Sequence, residues 1–295
     1  MTLSDNAQGS LWMCASTIGF VCNDALIKSV AGEVPLFQAI LIRGLVATSL
    51  IAFLAWRAGA LTKMPSTQDR KVICWRMIGE IGATALFLTA LFHMKLANVT
   101  AIIQAAPLTI ALCAAWFLGE PVGWRRYAAI GIGFLGVMLI VRPGTEDFNI
   151  YAAVALGAVL FITLRDLSTR RLSPAVPSLL VTMATAASIT LIAAVVTGLQ
   201  GWEPVEDGIV LRLIGSAGFL LLGYHAGVLA MRVGEVGVVS PFRYTNLIWA
   251  LILGWAVFNE LPTTLTIIGA AIVCSTGLYT LYRERVTRAA SAAPG

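Results

Sequence analysis

Residues 239–261 read "VSPFRYTNLIWALILGWAVFNEL", and 140 positions earlier residues 99–121 read "VTAIIQAAPLTIALCAAWFLGEP". The two stretches lie over one another without a gap: Gln104 meets Tyr244, Ala106 meets Asn246, Trp116 meets Ala256 and Glu120 meets Glu260. Each is long enough to cross the ~30 Å hydrocarbon core of a bilayer as a helix. Each closes on a glutamate. The later copy also carries Pro241, Arg243 and Asn246, groups that a membrane tolerates only where they meet a partner or a wet cavity.

The rest of the chain has the same character. Of its 295 residues 58% are hydrophobic and 12% charged, about half the ~25% charged share of a soluble domain. The mean hydropathy is +0.86. Ten apolar runs follow, near 9–30, 35–56, 73–94, 98–118, 124–142, 150–166, 176–199, 208–231, 236–258 and 263–283. The run from Tyr151 to Leu164 is the shortest. Turn-forming stretches such as "TKMPSTQDRK", "RPGTEDF", "SPAVP" and "WEPVEDG" divide most of the runs. The runs are helix-long and lack the period-2 alternation of a membrane barrel. The expectation is an all-α integral membrane protein of ten transmembrane helices. The first run has no basic flank before it and contains Asn23, Asp24 and Lys28, so it is expected to be a retained span and not a cleaved signal. Cys14, Cys22, Cys74, Cys113 and Cys274 are scattered within runs with no metal-ligand spacing, and no metal or cofactor is expected.

Ten spans put both termini on one side. With the N-terminus in the cytoplasm, fourteen Lys and Arg fall on the inner side and four on the outer side, while Arg43 and Arg243 lie within spans; this accounts for all 20. Cationic loops resist translocation, so the expected location is the plasma (inner) membrane with both termini cytoplasmic. The bias also explains the net charge of +5. No basic stripe with interleaved aromatics calls for a nucleic-acid partner.

The 140-residue offset implies a unit of five spans, residues 1–145 and 146–295. An odd number inverts the second copy. Inverted repeats are the architecture of secondary transporters, with the substrate site near the midplane between copies.

Together, "FLGEPVGWRRYAAIGIGFLG" (117–136), "FNELPTTLTIIGAAIVCSTG" (258–277) and the arginine of "FQAILIRGL" (37–45) resemble the EamA-type branch of the drug/metabolite transporter superfamily. The resemblance covers nearly the whole chain and is closest to amino-acid exporters, aromatic ones included. Asn259 stands where that family usually has glycine, and Leu247 replaces the counterpart of Pro107. The resemblance implies export of amino acids, with drugs or other metabolites as the alternative cargo, and the expected mechanism is alternating access.

The polar residues inside the spans are the candidate site. In the ninth span Ser240, Arg243, Tyr244 and Leu247 share a face by i, i+3, i+4 spacing, with Asn246 beside it. Pro241 frees a backbone carbonyl one turn earlier. Arg243 suits a substrate carboxylate and Tyr244 an apolar or aromatic group; the alternative is that Arg243 pairs with Glu80 or Asp166, or snorkels inward. Gln104 in the fourth span and Tyr224 and His225 in "GYHAG" (223–227) are expected to line the same cavity; an interhelical hydrogen bond is the alternative for Gln104 and a packed histidine for His225. The GxxxG spacing of Gly223 and Gly227 permits close helix contact. Asp24 and Lys28 form an i, i+4 pair, or Arg43 holds Asp24 instead; Asp24, Arg43 and Glu80 are assigned to gating or ion pairing. Glu120 and Glu260 are assigned structural roles. The expected partners are a small amphipathic metabolite, most simply an amino acid, and the lipid bilayer. No HExxH, GxSxG, phosphate-cradling loop or paired carboxylates argue for an enzyme, and lone polar residues do not form the filter ring of a channel.

Overall fold

A computed structural model describes residues 4–60, 65–119, 123–144 and 148–292. It is all-helical, and ten spans account for it. Spans one to three are α1 (Asp5–Lys28), α2 (Leu36–Arg57) and α3 (Thr67–His93). Span four is α4 (Leu96–Ile103) followed by α5 (Ala106–Leu118); α6 (Trp124–Val141) is span five. Spans six to eight are α7 (Ile150–Arg170), α8 (Ser178–Gln200) and α9 (Asp207–Val233). Span nine is α10 (Val236–Val239), a 3₁₀ turn (Ser240–Tyr244) and α11 (Thr245–Phe258); α12 (Thr264–Ala292) is span ten. Span six extends beyond the short apolar run that announces it, because its last turns carry Arg165, Asp166 and Arg170 within the helix.

Local chemistry fixes the ends. Ser4, Ser66 and Asn149 accept the backbone N–H of Ala7, Asp69 and Tyr151 and so cap α1, α3 and α7. Gly119 closes α5 at φ 68° and Asn259 closes α11 at φ 53°. These two positions are 140 apart and both are left-handed. Asparagine is the side chain that best tolerates this conformation after glycine, which explains the departure at Asn259.

The spans pack as α1 on α9, α3 on α7, α2 on α8, α4 on α11 and α6 on α12. Exchanging each span with the one five later turns this set into itself. The α1–α9 contact is close because Gly19 and Gly223 meet backbone to backbone, a Cβ on Gly19 reaching 2.9 Å from the Gly223 nitrogen. The Ser16 hydroxyl donates to the Gly223 carbonyl at 2.7 Å. Spans five and ten pack on each other through Gly136 and Gly269.

The apolar core is unevenly placed. Its large cluster is centred in the half of the bundle away from the termini, with Ile27, Val30, Leu88, Leu91, Leu96 and Leu213, and reaches past mid-span at Leu108 and Ile130. In the half that holds the termini, Met13, Ala230 and Val239 form a small separate cluster, and Ile51, Ile73 and Val181 are buried outside it. The bundle is therefore more continuously packed at the far side than at the terminal side.

Candidate functional site

Spans four and nine break at matching places. Gln104 and Ala105 separate α4 from α5, and the 3₁₀ turn separates α10 from α11. Pro107 and Pro241 each occupy the first turn of the segment that follows, where a missing N–H costs least. The two breaks touch: the Gln104 side-chain amide donates to the Arg243 carbonyl at 3.5 Å. Thr17 of α1 joins them through a 2.9 Å hydroxyl contact with Thr245.

The 3₁₀ turn changes which side chains share a face. Three residues per turn, in place of 3.6, align Ser240, Arg243 and Asn246. Tyr244 and Leu247 rotate away toward α12, so the expected Ser240–Arg243–Tyr244–Leu247 face does not form. Tyr244 is buried with its hydroxyl against Gly277. Arg243 is exposed and makes no ion pair among the described residues. One turn beyond it, the Asn246 side-chain oxygen and the Trp249 indole nitrogen are buried without hydrogen-bond partners. Trp249 was not singled out by the sequence, where it reads as one more apolar residue; its spacing of three from Asn246 was the available signal.

The expected partners of Arg243 are occupied elsewhere. Arg165 of α7 reaches Glu80 at 3.5 Å and Asp166 at 2.7 Å. Arg165 thus lies within α7, a little over one turn from its end. A second polar group lies nearer the far side. Arg43 donates to the Asn23 side-chain oxygen at 3.1 Å, Ser216 donates to the same oxygen at 2.7 Å, and the Asn23 amide donates to Asp24 at 2.9 Å. Arg43 sits within charge range of Asp24 but contacts it through Asn23. Tyr224 lies between the two groups, within electrostatic range of Arg43, Glu80 and Arg165, and its ring meets Phe20 edge-on at 5.2 Å. It is 43% exposed although charged side chains of three other spans surround it. That combination marks a residue facing an internal space.

Lys28 does not pair with Asp24. Its ammonium donates to both carboxylate oxygens of Glu260, at 2.8 and 2.9 Å, and to the Met94 carbonyl at 2.5 Å. Glu260 also accepts the Leu96 N–H at 3.0 Å. This knot ties the far end of α1 to the start of span four and the end of span nine. A helix points i, i+4 side chains the same way, but Lys28 is long enough to reach a full carboxylate plus a carbonyl, while Asp24 is engaged by Asn23. Glu120, the counterpart of Glu260, lies outside the described residues.

His225 is also displaced from the cavity. It is exposed on the stripe of α9 that carries Leu211, Ile214 and Leu222, so it faces outward, while Tyr224, one residue away and about 100° around the helix, faces in. These residues therefore offer an exposed cation at Arg243, an exposed phenol at Tyr224 and a half-buried amide at Gln104, while the Asn246 oxygen and the Trp249 indole N–H are closed off within the packing.

The profile of the EamA-like transporter family matches residues 7–142. Among curated relatives, the S-adenosylmethionine uptake transporter of Rickettsia prowazekii is 25% identical over 63% of each chain. The chain spans about 63% of the length of the S-adenosylmethionine transporters it matches. The riboflavin transporter of Vibrio cholerae is 25% identical over 90% of each chain. The pseudopaline exporter of Pseudomonas aeruginosa is 26% identical over 92% of this chain and 95% of its own. A solved crystal structure, at 16% identity, superimposes with a TM-score of 0.65 over 94% of this chain and 97% of its own, which supports the fold.

Proposed function

We propose, from the EamA-like match over residues 7–142 and from full-length relatives named as transporters, that this chain is a secondary transporter of small metabolites in the plasma membrane. The termini face the cytoplasm, in line with the basic residues. Two inverted five-helix halves, residues 1–145 and 146–295, enclose the binding space, and the pairing of spans under exchange of the halves supports that division. The direction is outward: the pseudopaline exporter is matched over more of both chains than the S-adenosylmethionine uptake transporters are. The substrate is a carboxylate-bearing amphipathic metabolite, of which amino acids, aromatic ones included, are the simplest class.

One observation carries the site. Arg243, in the break of span nine, keeps an exposed guanidinium while the carboxylates that could neutralise it are held by Arg165. A guanidinium with a free fork binds a carboxylate in two parallel hydrogen bonds. Gln104 adds an amide, Ser240 a hydroxyl and Tyr224 an aromatic wall; the Asn246 oxygen and the Trp249 indole N–H, buried without partners, become available to the solute when the broken span moves. Asp24, Arg43 and Glu80 line the same space, Glu80 through its ion pair with Arg165 and Asp24 and Arg43 through Asn23, and set its charge. The far-side seal and the looser terminal half support a state open toward the cytoplasm, ready to load a cytoplasmic solute.

The test is flux across liposomes with a panel of labelled amino acids and larger carboxylate conjugates. Arg243→Ala is expected to lower flux at least tenfold with normal folding, and Arg243→Lys to retain part of it. Undiminished flux in Arg243→Ala and in Asn246→Ala would rule out the site.

A further inference from the structure

Helix α1 divides its side chains among its neighbours. Ser16, Gly19 and Asn23 meet α9 at Gly223 and Ser216. Thr17 and Lys28 meet span nine at Thr245 and Glu260. Phe20 and Asp24, one turn apart on one stripe, project between those two contacts into the bundle, and the exposed Leu11 and Ile18 mark the opposite side of the helix. Asp24 lies one turn short of the Lys28–Glu260 knot, at the far end of the internal space.

Asp24 is a carboxylate with no cation in contact. One of its oxygens accepts the Asn23 amide at 2.9 Å, and the other has no hydrogen-bond partner among the described residues, although the side chain is half-buried. Arg43, the guanidinium within charge range, is turned to the Asn23 oxygen, which Ser216 also holds. The other charged groups of the interior are engaged: Lys28 by Glu260, Glu80 and Asp166 by Arg165, and Arg76 by Thr169. From the level of Arg165 to the knot, the interior therefore carries three carboxylates, Asp24, Glu80 and Asp166, against two guanidiniums, Arg43 and Arg165. Arg243 belongs to the break of span nine, which meets α1 at Thr17, about 10 Å along the helix from Asp24. One negative charge is thus unmatched, and Asp24 carries it. A bare charge in the hydrocarbon zone is costly, so the position calls for a cation. Phe20, on the same stripe, meets Tyr224 edge-on at 5.2 Å. A carboxylate beside aromatic rings is the combination that holds an ammonium group.

We propose that Asp24 binds the cationic nitrogen of the transported solute, a protonated amine held against Phe20 and Tyr224. This deepens the transporter reading and rests on it: the solute's carboxylate falls to Arg243 there, and its amine is assigned here. The transported class narrows accordingly to metabolites that carry an amine as well as a carboxylate.

The test uses the full chain in lipid nanodiscs and equilibrium binding of tritiated phenethylamine, with 2-phenylethanol as the uncharged competitor of the same shape. The parent chain should bind the amine at least tenfold more tightly than the alcohol, the worth of a hydrogen bond to a charged group. Asp24→Asn, which keeps the shape, should bring that preference to about twofold or less. Phe20→Leu should lower it roughly two- to threefold through the lost ring. Arg243 is read separately, from 3-phenylpropionate against its methyl ester, a preference that Arg243→Ala should remove, so the two assignments fail separately. Gel filtration checks each variant. Should Asp24→Asn fail to fold, the parent's preference for amine over alcohol and its fall in Phe20→Leu decide. A parent that binds the amine no better than the alcohol, or an unchanged preference in folded Asp24→Asn, would overturn the proposal.

Discussion

Replacing Lys28 with methionine keeps the length and bulk of the side chain and removes its charge. In the sealed state this leaves the Glu260 carboxylate with the Leu96 N–H as its remaining hydrogen-bond donor, and the Met94 carbonyl without its ammonium. Breaking a buried pair by removing one partner costs about 3–5 kcal/mol. Lys28 is 9% exposed but Glu260 is 23% exposed, so water recovers part of the loss and about 2–3 kcal/mol is the appropriate range. The knot exists where the far ends of spans one, four and nine meet, so the cost falls on the sealed state. It shifts the balance toward far-side opening by roughly 30- to 150-fold, at about 1.4 kcal/mol per factor of ten. The assay is the labelling rate of Val30→Cys, a fully buried position of the seal, in a chain whose five native cysteines are replaced by alanine. A membrane-impermeant maleimide is applied to either face of proteoliposomes. Lys28→Met should raise the rate at least tenfold. Glu260→Gln should act in the same direction, and Lys28→Met/Glu260→Met less than additively, because neither charge is then stranded. Equal labelling rates in all three variants and the parent would refute the reasoning.

Two other perturbations test the interior charges and an exposed pair. Arg165→Ala leaves Glu80 and Asp166 facing each other without their cation, and thermal unfolding in detergent should show a loss of about 2–4 kcal/mol, partly restored by adding Glu80→Gln. Outside the membrane, hydrogen bonding to Arg212 holds the Glu33 carboxyl below its usual range. A depressed carboxyl stabilises the fold above its unfolded pKa and loses that contribution as pH falls through the folded value. The parent chain should therefore lose stability in the acid range where Arg212→Gln does not, a difference read from melting temperature against pH.

Much of the fold is written in the hydropathy of the chain, because a bilayer demands long apolar segments and leaves few alternatives. Pro241 likewise hints at the break in span nine, because proline cannot continue a helix unaided, whereas Pro107 and Pro241 do not correspond under the offset of 140 and the break in span four was not legible. The site was less legible. A helical wheel assumes 3.6 residues per turn, so it put Tyr244 beside Arg243; the tighter turn after Pro241 separates them and brings Asn246 into line. Arg165 drew no notice at the end of the sixth apolar run, whereas in the folded chain it joins Glu80 of span three and Asp166. Lys28 had a carboxylate one turn away and found a better one 232 positions along. Such pairings depend on which helix ends meet, which no local pattern records. His225 failed for the opposite reason: a histidine in a span invites a functional role, but its direction is fixed by the glycine face through which α9 grips α1.

That grip has a mechanical corollary. Helix α1 is clamped at Lys28 and runs about 35 Å to Asp5 at 1.5 Å per residue, through the less continuously packed half of the bundle. A tilt of about 10° about the clamped end swings the other tip by roughly 6 Å. Because Gly19, Gly223 and the Ser16 hydroxyl lock α1 to α9 along its length, the two helices would travel as one arm, with the leverage greatest where the chain begins.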